Sequence, residues 1–299
     1  MPKNVKGIFT SIITPFKKNS LEIDFDSLMD LVGFISDNKA SGIIPFDIYG
    51  EFTSLSNSEK KQILNSIMES REEMLIIPHI TSYSYSDTID LAHYAQGIGV
   101  NALLISPPLF YKDIDNESLE KYFMKVLENI DIPVYLYNMP KYTGIAISDD
   151  LIDKLEETGK VIGIKDYNDD MFYINNYKNK HPELNIISSN DKLIYDSLNI
   201  GIKTFSSNLF NIFPEIVKSI FYDYEQPKGN GGYNSQKYLN EIINIVNNFS
   251  TIPALKFLTT LRGIQESDVR PPFFELEQEK KNILKQEIYP YITNPSVIE

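Results

Sequence analysis

The chain has 299 residues, 42% of them apolar and 23% charged, a composition that suits a folded protein with a large core. It contains no cysteine, which excludes disulfides, thiolate nucleophiles and cysteine-based metal sites, and its three histidines (His79, His93 and His181) poorly supply a three-histidine metal centre or a histidine-centred triad. With 28 basic against 41 acidic residues the net charge is −13, so the basic footprint that nucleic-acid binding requires is missing.

The first segment, MPKNVKGIFTSIITPF, carries one short apolar stretch cut by Thr14-Pro15 and lacks the apolar core and cleavage site of a signal peptide. No later segment approaches the roughly 20 apolar residues of a membrane span. No membrane partner is expected, and the expected location is cytoplasmic.

Short β-branched runs then alternate with amphipathic stretches. Strands are expected over 7–13, 42–46, 75–79, 102–106, 134–137, 161–165, 185–188 and 203–206. Helical patterns lie between them, over 25–38, 58–70, 86–97, 118–130 and 148–158, with Asn57 or Ser58 and Ser148 as capping residues. Near-continuous apolar strands separated by helices imply parallel strands covered on both faces. Eight such units over residues 1–215 match a (β/α)8 barrel. A doubly wound sheet usually has a glycine-rich turn after its first strand, and ITPFKKNS is not one. From 215 on the pattern turns helical, over 215–224, 235–248, 253–263 and 275–287, with a breaker-rich loop at 226–234 (QPKGNGGYN). Residues 216–299 are expected to form a helical extension packed on the barrel.

In such a barrel the chemistry sits at the carboxyl ends of the strands. Lys165 closes the apolar run VIGIK, where burial disfavours its charged form and frees the amine for Schiff-base chemistry. The residues alone leave open a lysine that snorkels out of the mouth or pairs with Asp166. Tyr137 closes VYLY on the neighbouring strand and can relay a proton there, although any one of 19 tyrosines more often only packs. His79, ending the third strand, suits a satisfied core histidine better than a base. Asp149-Asp150 and Asp169-Asp170 read as helix-start carboxylates, and no metal-ligand pattern is present.

With these residues placed, the sequence resembles the pyruvate-dependent class I aldolases, the group of dihydrodipicolinate synthase, N-acetylneuraminate lyase and 2-keto-3-deoxygluconate aldolase. The resemblance runs through TPF (14–16), YGEFTSLSNSEK (49–60), PPLFYK (107–112), YLYNMPKYTG (135–144), GIKD (163–166), IPALK (252–256) and VRPPFFEL (269–276). It implies a (β/α)8 barrel with a C-terminal helical extension, a homotetramer, a Schiff base on Lys165 and a proton relay through Tyr137. It further implies that Tyr111 reaches a neighbouring subunit's site and that no metal or organic cofactor is needed. Where the family has Gly-Thr-Thr-Gly-Glu, whose hydroxyl residues bind the carboxylate of the 2-oxo acid, this chain has Asp47-Ile48-Tyr49-Gly50-Glu51. Ile48, Tyr49 and Gly50 are then the carboxylate-binding candidates, through backbone N–H groups, with Asp47 expected to turn away or to cap the next segment. Tyr142 stands where synthases of the dihydrodipicolinate type carry an arginine, which counts against that role and towards sugar acids. Tyr142, Thr143 and Ser207 are candidate contacts to substrate hydroxyls or carboxylate. Pro78-His79-Ile80 reshapes the end of the third strand.

The implied function is reversible cleavage of a 2-keto-3-deoxy sugar acid, 2-keto-3-deoxygluconate first, to pyruvate and an aldehyde such as glyceraldehyde. Neuraminate-type cleavage or sugar-acid dehydration through the same iminium is the alternative. The altered turn also motivates a non-catalytic paralogue that only binds a metabolite.

Overall fold

The computed structural model describes residues 5–225 and 231–293. Eight parallel strands, β1 (Gly7–Ser11), β2 (Gly42–Ile44), β3 (Leu75–Ile76), β4 (Leu103–Ile105), β5 (Val134–Asn138), β6 (Val161–Asp166), β7 (Asn185–Ser188) and β8 (Thr204–Ser207), run in the order β3-β2-β1-β8-β7-β6-β5-β4. Backbone bonds from Asn101 N–H to Ile76 O (3.0 Å), Leu104 N–H to Pro78 O (2.9 Å) and Ile80 N–H to Leu104 O (3.0 Å) join β3 to β4 and close the sheet. The fold is a (β/α)8 barrel. β3 is shorter than the expected 75–79 because Pro78 has no N–H to extend the ladder, so His79 pairs with Leu104 only as an isolated bridge.

Side chains alternate across each strand. Ile8, Ile43, Leu103, Leu136, Ile164 and Phe205 pack against the helices, while Phe9, Ile44, Leu104, Tyr135, Tyr137 and Ile187 fill the lumen. Two glycines make room for the lowest rings of that filling. A Cβ at Gly42 would lie 2.4 Å from the Phe9 ring, and one at Gly163 would lie 2.4 Å from the Tyr135 ring.

Helix Asn57–Ser70 is capped one residue earlier than expected. Ser56 and Glu59 form a reciprocal capping box, so neither Asn57 nor Ser58 is the cap, whereas Ser148 caps Asp149–Glu156 as read from the sequence. The C-terminal helices are Pro214–Glu225, Gly231–Val246, Thr251–Thr259 and Gln278–Thr293. The breaker-rich stretch 226–234 is not all loop: residues 226–230 lie outside the described residues, and a helix begins at Gly231. Gly232 lets that helix lie close to Pro214–Glu225, since a Cβ there would meet Ile220 O at 2.8 Å. Among the described residues no helix is long and apolar enough to cross a membrane.

Glu51, the last residue of the altered turn, is tied to the C-terminal segments. Its Oε1 lies 2.5 Å from Lys256 Nζ, both side chains essentially fully buried, and its Oε2 accepts the Arg270 N–H at 2.9 Å. Burial pulls the Lys256 amine down to about 8, against the pull of Glu51. Removing one member of a buried pair leaves the other charge uncompensated. Glu51→Ala is therefore expected to destabilise the fold by about 3–5 kcal/mol in urea unfolding. A loss below about 1 kcal/mol, the scale of an exposed pair, would show that the turn is not anchored this way.

Candidate active site

Lys165 and Tyr137 are register partners on β6 and β5, each the penultimate residue of its strand. Because Ile164 and Leu136 point outward, both side chains point into the lumen, and neither exposes surface. Lys165 Nζ sits 3.9 Å from the centre of the Tyr137 ring.

The group between them is Asp47, from the turn after β2. Its Oδ2 lies 3.0 Å from Lys165 Nζ and accepts the Ser11 hydroxyl, while its Oδ1 accepts the Tyr137 O–H at 2.5 Å and the Ile48 N–H at 2.7 Å. Ser11 Oγ is also 2.8 Å from Ser206 Oγ. Asp47 thus does cap the following turn, as expected, but it turns towards the lumen rather than away. The alternative pairing of Lys165 with Asp166 is not formed: Asp166, which follows Lys165 in the strand, bonds instead to Asn138 (2.8 Å) and Asn168 (2.7 Å).

Burial sets the electrostatics of this group. It pushes the Asp47 carboxyl up, but Lys165 and the three hydrogen-bond donors outweigh it and hold Asp47 below the usual carboxylate range. Burial likewise pulls the Lys165 amine below its usual value although Asp47 opposes it. Burial and then the Asp47 carboxylate push the Tyr137 phenol well above its usual range, so it is a protonated donor at neutral pH. An amine eased towards its neutral form and a phenol held by its hydrogen bond to a carboxylate together suit imine formation and proton relay.

His79 is the satisfied core histidine. Burial lowers it to about 3, so its neutral ring donates from Nδ1 to Phe46 O (3.2 Å), accepts at Nε2 from Ser106 Oγ (3.1 Å) and stands edge-on to Tyr137.

Above the lumen lies a cleft of about 460 Å³, lined among others by Tyr49, Lys141, Tyr167, Asn190, Asp191 and Asn208. Tyr49 and Tyr167 share a hydroxyl–hydroxyl bond of 2.6 Å, and the Tyr142 ring packs 5.8 Å from that of Tyr167. Burial raises the buried Asp191 carboxyl to about 6. Tyr49 therefore stands in the cleft wall with its hydroxyl engaged, and Tyr142 stands nearby, partly exposed.

The other predicted residues are placed less directly. The Ile48 N–H is taken by Asp47 Oδ1 and the Gly50 N–H by Asp47 O (2.9 Å), so neither is open to a substrate carboxylate. The Thr143 hydroxyl bonds to backbone, with Ile145 O at 2.9 Å. Ser207 accepts the Phe210 N–H (3.1 Å) and bonds Asp191, whereas Ser206, one residue earlier and therefore on the other strand face, joins the Asp47 group. Tyr111 is 71% exposed, next to Phe110. Sequence reading missed Ser11, Ser206 and Asp191; the signal for the two serines is a hydroxyl at a lumen-facing position of a strand end.

Comparison with known proteins identifies relatives along nearly the whole chain. A chain from Chloroflexus aurantiacus named an uncharacterized DapA-like lyase is 29% identical over 285 residues, covering 94% of this chain and 95% of its own. The 4-hydroxy-tetrahydrodipicolinate synthase of Methanococcus aeolicus is 28% identical over 290 residues, covering 96% and 99%. Among solved structures, the Sulfolobus 2-keto-3-deoxygluconate aldolase in complex with D-KDPG superposes with a TM-score of 0.88 at 26% identity, covering 95% of each chain. The Ruminococcus gnavus sialic acid aldolase, at 20% identity, has a TM-score of 0.90 over 96% and 95% and shows the shared fold. The family model described as the dihydrodipicolinate synthetase family matches residues 4–289. The chain belongs to the dihydrodipicolinate synthetase family, whose members are lyases.

Proposed function

We propose that the chain is a Schiff-base aldolase that reversibly cleaves a 2-keto-3-deoxy sugar acid, 2-keto-3-deoxygluconate first, to pyruvate and an aldehyde such as glyceraldehyde. The observation that carries this reading is the fully buried Lys165, in register with Tyr137 at the mouth of the barrel. Lys165 Nζ attacks the C2 carbonyl and water leaves, giving an iminium. The C3–C4 bond then breaks, its electron pair moving towards the iminium to give an enamine. The C4 hydroxyl becomes the aldehyde and gives its proton to Tyr137, which passes its own to Asp47 as the positive charge on the Lys165 nitrogen is lost. The relay returns that proton to C3, and hydrolysis by water releases pyruvate and restores the amine. The lysine is the electron sink, so the scheme calls for no metal or organic cofactor.

A substrate entering by the cleft meets Tyr49 and Tyr167 first, and the polar side chains of Asn190, Asp191 and Asn208 suit a polyhydroxylated tail. Tyr142 is kept as a contact near that tail, and Ser207 bears on it only through its bond to Asp191. Tyr111, exposed on its loop, is proposed to reach the site of a neighbouring copy in a cytoplasmic homotetramer.

The test is product analysis with 2-keto-3-deoxygluconate and related keto acids. Equimolar pyruvate and aldehyde support the aldolase. A product lighter by one water supports dehydration instead, and stabilisation by keto acids without turnover supports the binding paralogue.

A further inference from the structure

Lys165 and Tyr137 expose no surface and Asp47 almost none, and none of the three lines the cleft above them. A pair of tyrosines stands between the two spaces. Tyr49 comes from the turn after β2 and Tyr167 directly follows β6. Those strands are four apart whichever way round the closed ring they are counted, so the two residues face one another across the barrel mouth. Their hydroxyls meet at 2.6 Å. Both rings line the cleft, and Tyr167 also packs on the lumen filling that includes Tyr137. We infer that the Tyr49–Tyr167 bond is a bar across the mouth that parts before a substrate reaches Lys165, and that a hydroxyl of the incoming molecule takes its place between the two phenols, so that the pair selects hydroxylated acceptors.

An amine with no exposed surface offers a ketone carbon no line of approach. The lower lumen is packed with Phe9 and Tyr135, so the way in is from the cleft, past the bar. The bar is built to open. A neutral hydroxyl–hydroxyl bond contributes little net, because each phenol can exchange it for a bond to water or substrate. Burial raises both phenols above their usual range, so each still carries its O–H at neutral pH. Smaller pushes on Tyr49 come from Asp191 in the cleft and Asp47 in the lumen, which sets its hydroxyl between the two. A hydroxyl that enters the gap accepts from one phenol and donates to the other, so two bonds replace the one that was broken. A methylene in the same place replaces none and leaves the cost of opening uncompensated. This inference rests on the Schiff-base reading above; it leaves the chemistry of Lys165 and Tyr137 unchanged and adds what admits the substrate.

Tyr49→Phe and Tyr167→Phe each keep the ring and delete the bond. The natural chain, the two single variants and the double variant are treated with borohydride and subsaturating pyruvate, a donor with no hydroxylated tail, and adduct formation is followed by intact mass. The same proteins are then run in the synthetic direction with pyruvate and either glyceraldehyde or propanal, acceptors of equal carbon number. Each single variant is expected to label about three- to tenfold faster than the natural chain, the scale of one neutral hydrogen bond, and the double variant no faster than the singles, because both hydroxyls act through one bond. The preference for glyceraldehyde over propanal is expected to narrow by a similar factor. Damage to the fold slows labelling, so a gain in rate is not a structural defect. Folded single variants that label at the natural rate or more slowly would overturn the inference. Faster labelling with an unchanged acceptor preference would also overturn it, because the bar would then select nothing. If none of the four proteins labels, the Schiff-base reading falls and this inference with it, a result distinct from a natural chain that labels while the variants gain nothing.

Discussion

Lys165→Ala is expected to lower turnover by on the order of 10⁴-fold or more and to abolish the borohydride adduct. Lys165 is the only nucleophile in the proposed scheme, and the variant removes it while leaving the cleft above untouched. It also strands Asp47 without its cation, a change that costs about 3–5 kcal/mol if the carboxylate stays ionised and less if it takes a proton. Unfolding curves therefore belong beside the kinetics. A small primary amine added to folded Lys165→Ala should restore part of the activity, because it can form the same iminium in solution. The direction of the pH dependence follows from burial. With the Lys165 amine held below its usual value, the neutral nucleophile is already available at pH values where a surface lysine is almost fully protonated, and adduct formation should rise towards a plateau reached below pH 10.5. Turnover within tenfold of the natural chain would remove Lys165 from the mechanism.

Tyr137→Phe should lower turnover by about 10²–10⁴-fold, the usual contribution of a positioned proton carrier, while the adduct at Lys165 still forms. The ring that packs over Nζ and against His79 is kept, so what is lost is the O–H that donates to Asp47 at 2.5 Å. The loss should fall on kcat rather than KM, because the phenol acts in proton transfer after the substrate is bound. A variant that neither slows turnover tenfold nor shifts kcat would make Tyr137 a packing residue.

Most of the barrel could be read from the chain because its strands are short apolar runs with a fixed two-residue alternation, flanked by capped amphipathic helices. β3 was read too long since its apolar run continues past Pro78, and a run of hydropathy does not register a missing N–H. Lys165 and Tyr137 were legible for the opposite reason: a lysine and a tyrosine that close buried strands stand out by type and by position. Asp47 was only half legible. Its capping role follows from its chemistry, but its direction is set by the residue before it. Phe46 adopts a left-handed conformation (φ 63°), uncommon for a bulky side chain, and no pattern in the sequence signals it. Buried Phe46 also accepts the His79 Nδ1–H through its carbonyl, which ties down the bend just before Asp47. Ser206 rather than Ser207 joins the site because of a one-residue difference in strand face, which a strand end placed by hydropathy alone does not resolve.

The proposed chemistry depends on one nitrogen, Lys165 Nζ. Two other lysines, Lys60 and Lys256, are also lowered by burial, each to about 8, so an easily deprotonated amine is not by itself a signature of the site. The most direct measurement is peptide mapping of the natural chain after borohydride reduction with pyruvate. A single reduced adduct on the peptide that contains Lys165 is the predicted result. An adduct on Lys60 or Lys256 with Lys165 unmodified, or no adduct at all, would contradict it.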